Sequence, residues 1–593
     1  MPPLVFERRV PLRAARRAVW PLLRNTDRLN LAIGSSRLRV EAIDEGGTLF
    51  RMHGTNAGFP LTWVEPPYRW VEGEELQFER HYANSPMAHI AVRYAVEDVA
   101  GGGSEVVLRW AITPRWFFAR PLVWLVATMQ FAKLVRYAAS FDDAIAGGVP
   151  PAVPPAQLDR PRADRVGAAL VARFGEARVR RLVDHLERST DLEVQAIRPF
   201  ELAASWDTPG DEVLKLCLAA TKEGLLELRW AVLCPSCTQA SETLPSLRDL
   251  EEDGAHCHTC DIRFGLELDR AVEAVFEPHR AIRVIDRRPM CVAGPMLTPH
   301  VVAQAFAERG AVVLAVPPEV GRYRAFARGG ATTTVDVVEG AATSGAIAVE
   351  GDQATPAALT VAPGATIEVR FGDGEPRHAK LERVEWSFRA ATAHHVSMIP
   401  EFRALFGSEA LREGLALRVA RTTILFSDLC GSTALYSKVG DAAAFGVVTD
   451  CLTYGRSIVE RHGGVVIKTM GDAVMAAFPG PEAAVRAGAA MIAEWDGLRA
   501  SNELLRELDV KVGVYGGPCT VVSANGVLDY FGQTVNSAAR VQHLAGPREL
   551  LVPEAIAAEV EAPEGTRYGE PFGARVKGID DELVLRRCRV AAG

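Results

Sequence analysis

Long uninterrupted apolar runs are scarce: the longest, Pro121 to Met129, falls far short of the about 20 residues that a spanning helix needs. Arg120, Gln130 and Lys133 bracket that run, which reads as the buried face of an amphipathic helix. The opening MPPLVFERRV lacks the apolar core of a secretory signal, so a cytoplasmic protein with no membrane span is expected. Lysine is scarce, eight of the 66 basic residues, which makes a lysine inside a motif informative. A large excess of one charge is missing too. Lys+Arg 66 against Asp+Glu 74 leaves −8, which argues against a generally basic nucleic-acid-binding surface and leaves any phosphate affinity to a local site. Ten cysteines include one tight quartet, while 217, 291, 430, 451, 519 and 588 stand apart; that pattern disfavours disulfides and points to a reducing compartment with one metal site.

What is present is modular. At roughly 100 to 200 residues per domain, 593 residues imply about four domains, and 48% hydrophobic with 24% charged residues is a globular composition. The stretch GGVPPAVPPAQLDRPRAD, 147–164, is a linker by its prolines and glycines, and residues 1–146 before it form one domain. The order there is a strand (Leu4 to Val10), helical patterning (Leu12 to Leu23), alternating runs such as Arg37 to Ala42 and Glu105 to Ile112, then a long helix from Trp116 to about Ile145. This α+β order resembles the START/polyketide-cyclase-like, helix-grip family, which implies a sheet gripping a long helix around a cavity for an apolar small molecule. A packed core without a ligand is the alternative.

Residues 165–232 are helical. Pro199 to Trp206, a break at Asp207 to Gly210, a helix Asp211 to Lys222 and a strand Leu225 to Val232 resemble a winged-helix unit, but Lys215 and Lys222 against Asp211, Glu212 and Glu223 make a poor phosphate-facing surface. A structural module is expected, with no nucleic-acid partner. In 233–267, Cys234-Pro-Ser-Cys237 and Cys257-His-Thr-Cys260 have the spacing of a zinc ribbon, four thiolates closing a structural Zn²⁺ site with no position left for water. A rubredoxin-type iron centre uses similar knuckles; His256 and His258 are bystanders. Residues 268–392 read as a β-rich domain of sandwich type, with runs at Thr332 to Val338, Ala358 to Val361, Thr366 to Phe371 and Leu381 to Ala390. A connector, 393–418, holds the amphipathic Ile399 to Phe406. Residues 163–415 together resemble an uncharacterised region that often precedes bacterial cyclase domains.

The last region, 419–589, carries polar residues that packing does not require. Thr422 to Phe426 is an apolar strand ending in Ser427-Asp428-Leu429, with Gly431-Ser-Thr433 opening a helix, so a carboxylate sits beside a helix N-terminus. Val465 to Met470, Gly471-Asp472 and Ala473 to Phe478 read as a hairpin with Asp472 at its tip. Asp529 to Arg540 opens with a turn and runs helical, placing Asn536 and Arg540 on one face.

FSDLCGST, GGVVIKTMGDAVMAAF and LDYFGQTVNSAAR, in that order, resemble the class III nucleotidyl cyclases, which have a ferredoxin-like α/β fold. The resemblance implies that Asp428 and Asp472 hold two Mg²⁺ or Mn²⁺ ions, with the Leu429 carbonyl as a further ligand, that Asn536 orients the ribose and that Arg540 meets the α-phosphate. It implies that Lys468 and Asp529 read the purine, a polarity suited to ATP, and that the site is completed in a homodimer. Tyr515 stands where the family commonly has His, and the stretch from Gly517 to Asp529 is short, which bears on the strength of dimerisation. The expectation is an adenylate cyclase in intracellular signal transduction; the alternatives are a guanylate cyclase, or an inactive cyclase-like dimerisation domain on a DNA-binding regulator.

Overall fold

The computed structural model describes the chain except residues 1, 43–49, 57–58, 149, 152–156, 236–238, 258–259, 261, 292–293, 299, 308–309, 373–376, 385–389, 408, 576–581 and 591–593. At the N-terminus, strands Leu4–Leu12, Ser104–Pro114, Met87–Asp98 and Glu75–Tyr82 lie side by side, all antiparallel. The helix Arg120–Ala139 packs on them through Val123, Ala127, Phe131, Leu134 and Ala138, which recur every three or four residues and so form one stripe. Phe131 sits edge-on to Trp110 at 5.3 Å and 5.9 Å from Phe6, so aromatic rings fill the space between helix and sheet. A cavity of about 40 Å³ beside Trp63, Arg80 and Met290 has room for water but not for an apolar ligand.

Two expectations fail here. The run Pro121 to Met129 is not a buried face: only Val123 and Ala127 are buried, because the sheet covers a single stripe of a helix that is apolar nearly all round. Nor is the segment one helix. It comprises a tight turn Phe117–Ala119, the helix Arg120–Ala139 and a second helix Phe141–Gly147, broken where the Ser140 hydroxyl donates back to the Tyr137 carbonyl at 2.7 Å.

Helices Arg160–Phe174, Glu176–Arg188, Pro199–Trp206 and Gly210–Lys222 precede the strand Leu226–Leu233, which lies between Ala240–Leu244 and Val272–Pro278. The β-rich region forms two sheets. Strands Thr332–Val337 and Ala358–Val361 belong to one and Thr366–Phe371 to the other. The strand expected at Leu381 to Ala390 runs instead from Arg377 to Arg383, and residues 385–389 lie outside the described residues. The first of these sheets does not stop at the sequence boundary: Ala303 pairs with Val71 and Gln304 with Trp70, making one 13-stranded sheet with the N-terminal strands.

The C-terminal region is a nine-stranded sheet with the central order Val465–Met470, Ala473–Phe478, Ala416–Cys430, Asp509–Ala524, Leu550–Pro553. Successive side chains point to opposite faces. Leu425 and Leu429 therefore join the core under helices Asp441–Arg461 and Pro481–Ala493, while Ile424 and Phe426 join the core of the middle module and connector. Helix Gln533–Leu544 packs tightly on the second face: a Cβ on Gly513 would stand 2.2 Å from the Gln542 nitrogen, so the close approach requires glycine there.

Candidate functional site

Asp428 lies inside the strand Ala416–Cys430, which extends past the end expected from sequence, and its register partner is Lys511. One Asp428 oxygen is 3.1 Å from the Lys511 Nζ and accepts a long hydrogen bond, 3.5 Å, from Gln542. Gly431, in the left-handed region at φ 95°, then turns the chain into the helix Ser432–Val439. Asp472 is at the tip of the expected hairpin. Met470 pairs with Ala473, and Gly471 supplies the positive φ that a two-residue turn needs. One Asp472 carboxylate oxygen is buried with no hydrogen-bond partner among the described residues. Such an atom is costly unless something positive meets it. The fields of Asp428, Asp509 and Asp472 converge on Cys430: burial first, then these three charges, push its thiol pKa up, against the opposing pull of Lys511.

Asp529 is not on a turn but inside the strand Val527–Phe531, paired with Val522; the helix begins only at Gln533. It is 6% exposed. Its Oδ2 is 2.7 Å from the Lys468 Nζ, and its Oδ1 accepts the Tyr530 main-chain N–H at 2.8 Å. The Lys468 ammonium also sits 5.1 Å from the Phe531 ring centroid. On helix Gln533–Leu544, Thr534, Ser537, Ala538 and Val541 face inward, leaving Asn536 exposed and Arg540 half-buried on the outer face. Among the described residues Arg540 has no ion pair or hydrogen bond.

Of the expected residues, Lys468 and Asp529 are in direct contact, Asp428 and Asp472 each act on the Cys430 thiol, and Asn536 and Arg540 stand on the outer face of helix Gln533–Leu544. Sequence reasoning missed Lys511, although the scarcity of lysine was a usable signal. It also missed Tyr530, whose hydroxyl lies 3.2 Å from both Ser397 Oγ and His394 Nδ1 in the helix Ala393–Ser397. Burial pushes the Tyr530 phenol up and holds the His394 imidazole down at about 4. Arg403 donates to the Leu528 carbonyl at 3.2 Å, so the connector holds the strand that bears Asp529 at two points.

Away from this site, the sulfurs of Cys234, Cys257 and Cys260 lie within 4.8 Å of one another and are buried; Cys237 and His258 fall outside the described residues. A polar cleft of about 840 Å³, lined by Arg28, Arg181, His185 and Trp206 among others, lies between the N-terminal and helical modules and holds none of the expected site residues.

Residues 416–578 match the family model of the adenylate and guanylate cyclase catalytic domain, and residues 168–292 match a family of unknown function. An uncharacterized protein of Mycobacterium tuberculosis is 36% identical over 126 residues, 21% of this chain and 31% of the relative. An adenylate cyclase of Lachancea kluyveri is 31% identical over 155 residues, 23% of this chain and 8% of that one. The chain spans about a third or less of the length of these curated relatives. Among solved structures, the adenylyl cyclase CyaB from P. aeruginosa is 23% identical with a TM-score of 0.26, over 29% of this chain and 95% of that one. The guanylyl cyclase Cya2 is 20% identical with a TM-score of 0.27, over 29% and 94%. The C-terminal region is a cyclase catalytic domain.

Proposed function

We propose that the chain is an adenylate cyclase, converting ATP to 3′,5′-cyclic AMP and pyrophosphate at sites completed in a homodimer, as an intracellular signalling enzyme. The observation that carries this is the Lys468–Asp529 pair: a cationic donor and a buried carboxylate acceptor 2.7 Å apart. Adenine offers an acceptor at N1 and a donor at its 6-amino group, which these two side chains complement. Guanine reverses that order, with O6 accepting and N1–H donating, and a mismatched buried polar group costs on the order of 1–3 kcal/mol.

Asp428 and Asp472 fit Mg²⁺ or Mn²⁺, two per site, with the Leu429 carbonyl as a further ligand: they are hard oxygen donors, and one Asp472 oxygen is buried without a partner. Asp428 and Asp472 would hold the ions, whose chemistry when bound would be to acidify the ribose 3′-hydroxyl and offset charge on the triphosphate and leaving pyrophosphate. Asn536 orients the ribose. Arg540, with its guanidinium uncommitted, presents two parallel N–H donors to the α-phosphate as negative charge builds there. The three clustered thiols fit a structural zinc site of ribbon type, for which the sequence spacing offers Cys237 as the fourth ligand.

Purified protein given ATP or GTP with Mn²⁺, its product identified by mass spectrometry, tests the reaction: cyclic AMP from ATP is expected, and preferential cyclic GMP, or no product, overturns it. Mixing Asp428→Ala with Arg540→Ala protein, each with about a hundredth of wild-type activity or less alone, tests sharing. Random pairing leaves one intact site in half the dimers, so activity returns to at most about a quarter of the wild-type rate.

A further inference from the structure

The helix Arg120–Ala139 buries one stripe and turns its other face, with the preceding turn, to water. Phe117 is 77% exposed, Phe118 66% and Met129 60%, and Leu122, Trp124 and Leu125 are more than half exposed between them. Trp116 stacks on Phe118 with 5.6 Å between ring centroids, so the patch begins in a stiff aromatic wedge. An exposed apolar cluster this dense marks a docking surface.

Charge identifies the occupant. From Val106 to Phe141 there is no Asp or Glu, although the chain as a whole is at −8. Arg115, Arg120 and Arg136 hydrogen-bond to main-chain carbonyls, of Ser85, Pro2 and Ala132, rather than to carboxylates. Lys133 and Arg136 continue the exposed face beyond Met129. At 1.5 Å per residue, Arg136 stands about 16 Å along the axis from Leu125. Tryptophan, phenylalanine and leucine at one end of a helix face and cations at the other are the pattern of a helix lying in a membrane interface.

We propose that this face docks the protein on an anionic bilayer surface, with Phe117, Phe118, Leu122 and Leu125 entering the acyl boundary and Lys133 and Arg136 at the lipid phosphates. Spanning is a different matter. The helical stretch from Phe117 to Gly147 is the one among the described residues long and apolar enough to cross a bilayer. Its Val123, Ala127, Phe131 and Leu134, however, are core residues of the N-terminal sheet, which crossing would strip away. A second copy fits poorly as well: pairing the face with itself antiparallel lays each Lys133–Arg136 end on the partner's apolar end, and pairing it parallel sets cations on cations.

Sedimentation of the full-length protein with vesicles tests this. Phosphatidylcholine vesicles containing phosphatidylglycerol should bind it, pure phosphatidylcholine should bind it at least about tenfold less, and added salt should release it. Phe118→Asp with Leu125→Asp should lower the partition coefficient more than about tenfold at unchanged thermal unfolding, because both side chains already face water. Lys133→Glu with Arg136→Glu should lower it roughly tenfold on anionic vesicles only. Absence of binding, or equal binding to neutral vesicles, overturns the proposal. So does an oligomer that Leu125→Asp dissolves, which would give the face to a second copy, or carbonate-resistant membrane association, which would make the helix a span.

Discussion

Asp529 keeps a carboxylate at 6% exposure, while Phe117 keeps a benzyl ring at 77%. Around Asp428, Asp472 and Asp529, charge is drawn inside; on the face from Phe117 to Met129, hydrocarbon is left outside. Lys468 and Lys511 compensate Asp529 and Asp428, but at one oxygen of Asp472, as on the aromatic face, the chain supplies no full compensation of its own. The two differ in the remedy they call for. A buried carboxylate oxygen without a partner calls for a cation, and an uncommitted guanidinium for an anion; an aromatic face calls for a medium of low polarity.

The contrast is broken most severely at the carboxylates. Asp472→Ala or Asp428→Ala should lower cyclic AMP formation by more than about a hundredfold, the scale of losing a main electrostatic element of a reaction centre. Without divalent ions, Asp472→Asn should unfold at the same or a higher temperature than the wild type, since it removes a buried charge whose oxygen lacks a partner. A lower unfolding temperature would show that Asp472 is structural. Arg540→Ala follows, with turnover reduced by about 10²–10³ and thermal unfolding unchanged, because the side chain holds nothing in the fold. Next, Lys468→Glu with Asp529→Cys should shift the GTP-to-ATP rate ratio upward by about tenfold or more, with a flat ratio excluding the pair from base recognition.

The smallest effect concerns the connector. His394 has a folded-state pKa of about 4, below its usual value near 6.5, so the unfolded chain takes up its proton first. Stability present above about pH 6.5 is therefore lost progressively toward pH 4, by a few degrees in unfolding temperature, and His394→Gln should flatten part of that slope. A slope unchanged in the variant would assign it to other groups, of which His185, also held near 4 by burial, is one.

How far the sequence could be read follows from the range of the interactions involved. The Asp472 hairpin is legible because its turn and both strands are contiguous in sequence; Asp428, Asp472, Lys468, Asp529, Asn536 and Arg540 can be proposed as site residues from sequence because each sits in a contiguous motif. The backbone under Asp428 and Asp529 is not legible, because a polar residue looks locally like the end of a strand, whereas both lie inside strands whose ladder continues past them. Lys511 meets Asp428 only through sheet register, and Tyr530 meets His394 across 136 residues, which no local pattern encodes. The helix after Pro121 misled for a different reason: when nearly every position is apolar, periodicity cannot tell which face the sheet takes.

The pairing of Trp70 and Val71 with Gln304 and Ala303 has a practical consequence for anyone shortening this chain. Gln304 also donates to the Tyr68 carbonyl at 2.7 Å, so the N-terminal segment covers the outer rim of the strand Val301–Ala307. Cutting away residues 1–146 would bare that rim, a row of unpaired amides flanked by Val301, Val302 and Phe306 that can template pairing with another molecule. A fragment begun after the linker is thus prone to self-association through this strand, independently of anything its catalytic end does.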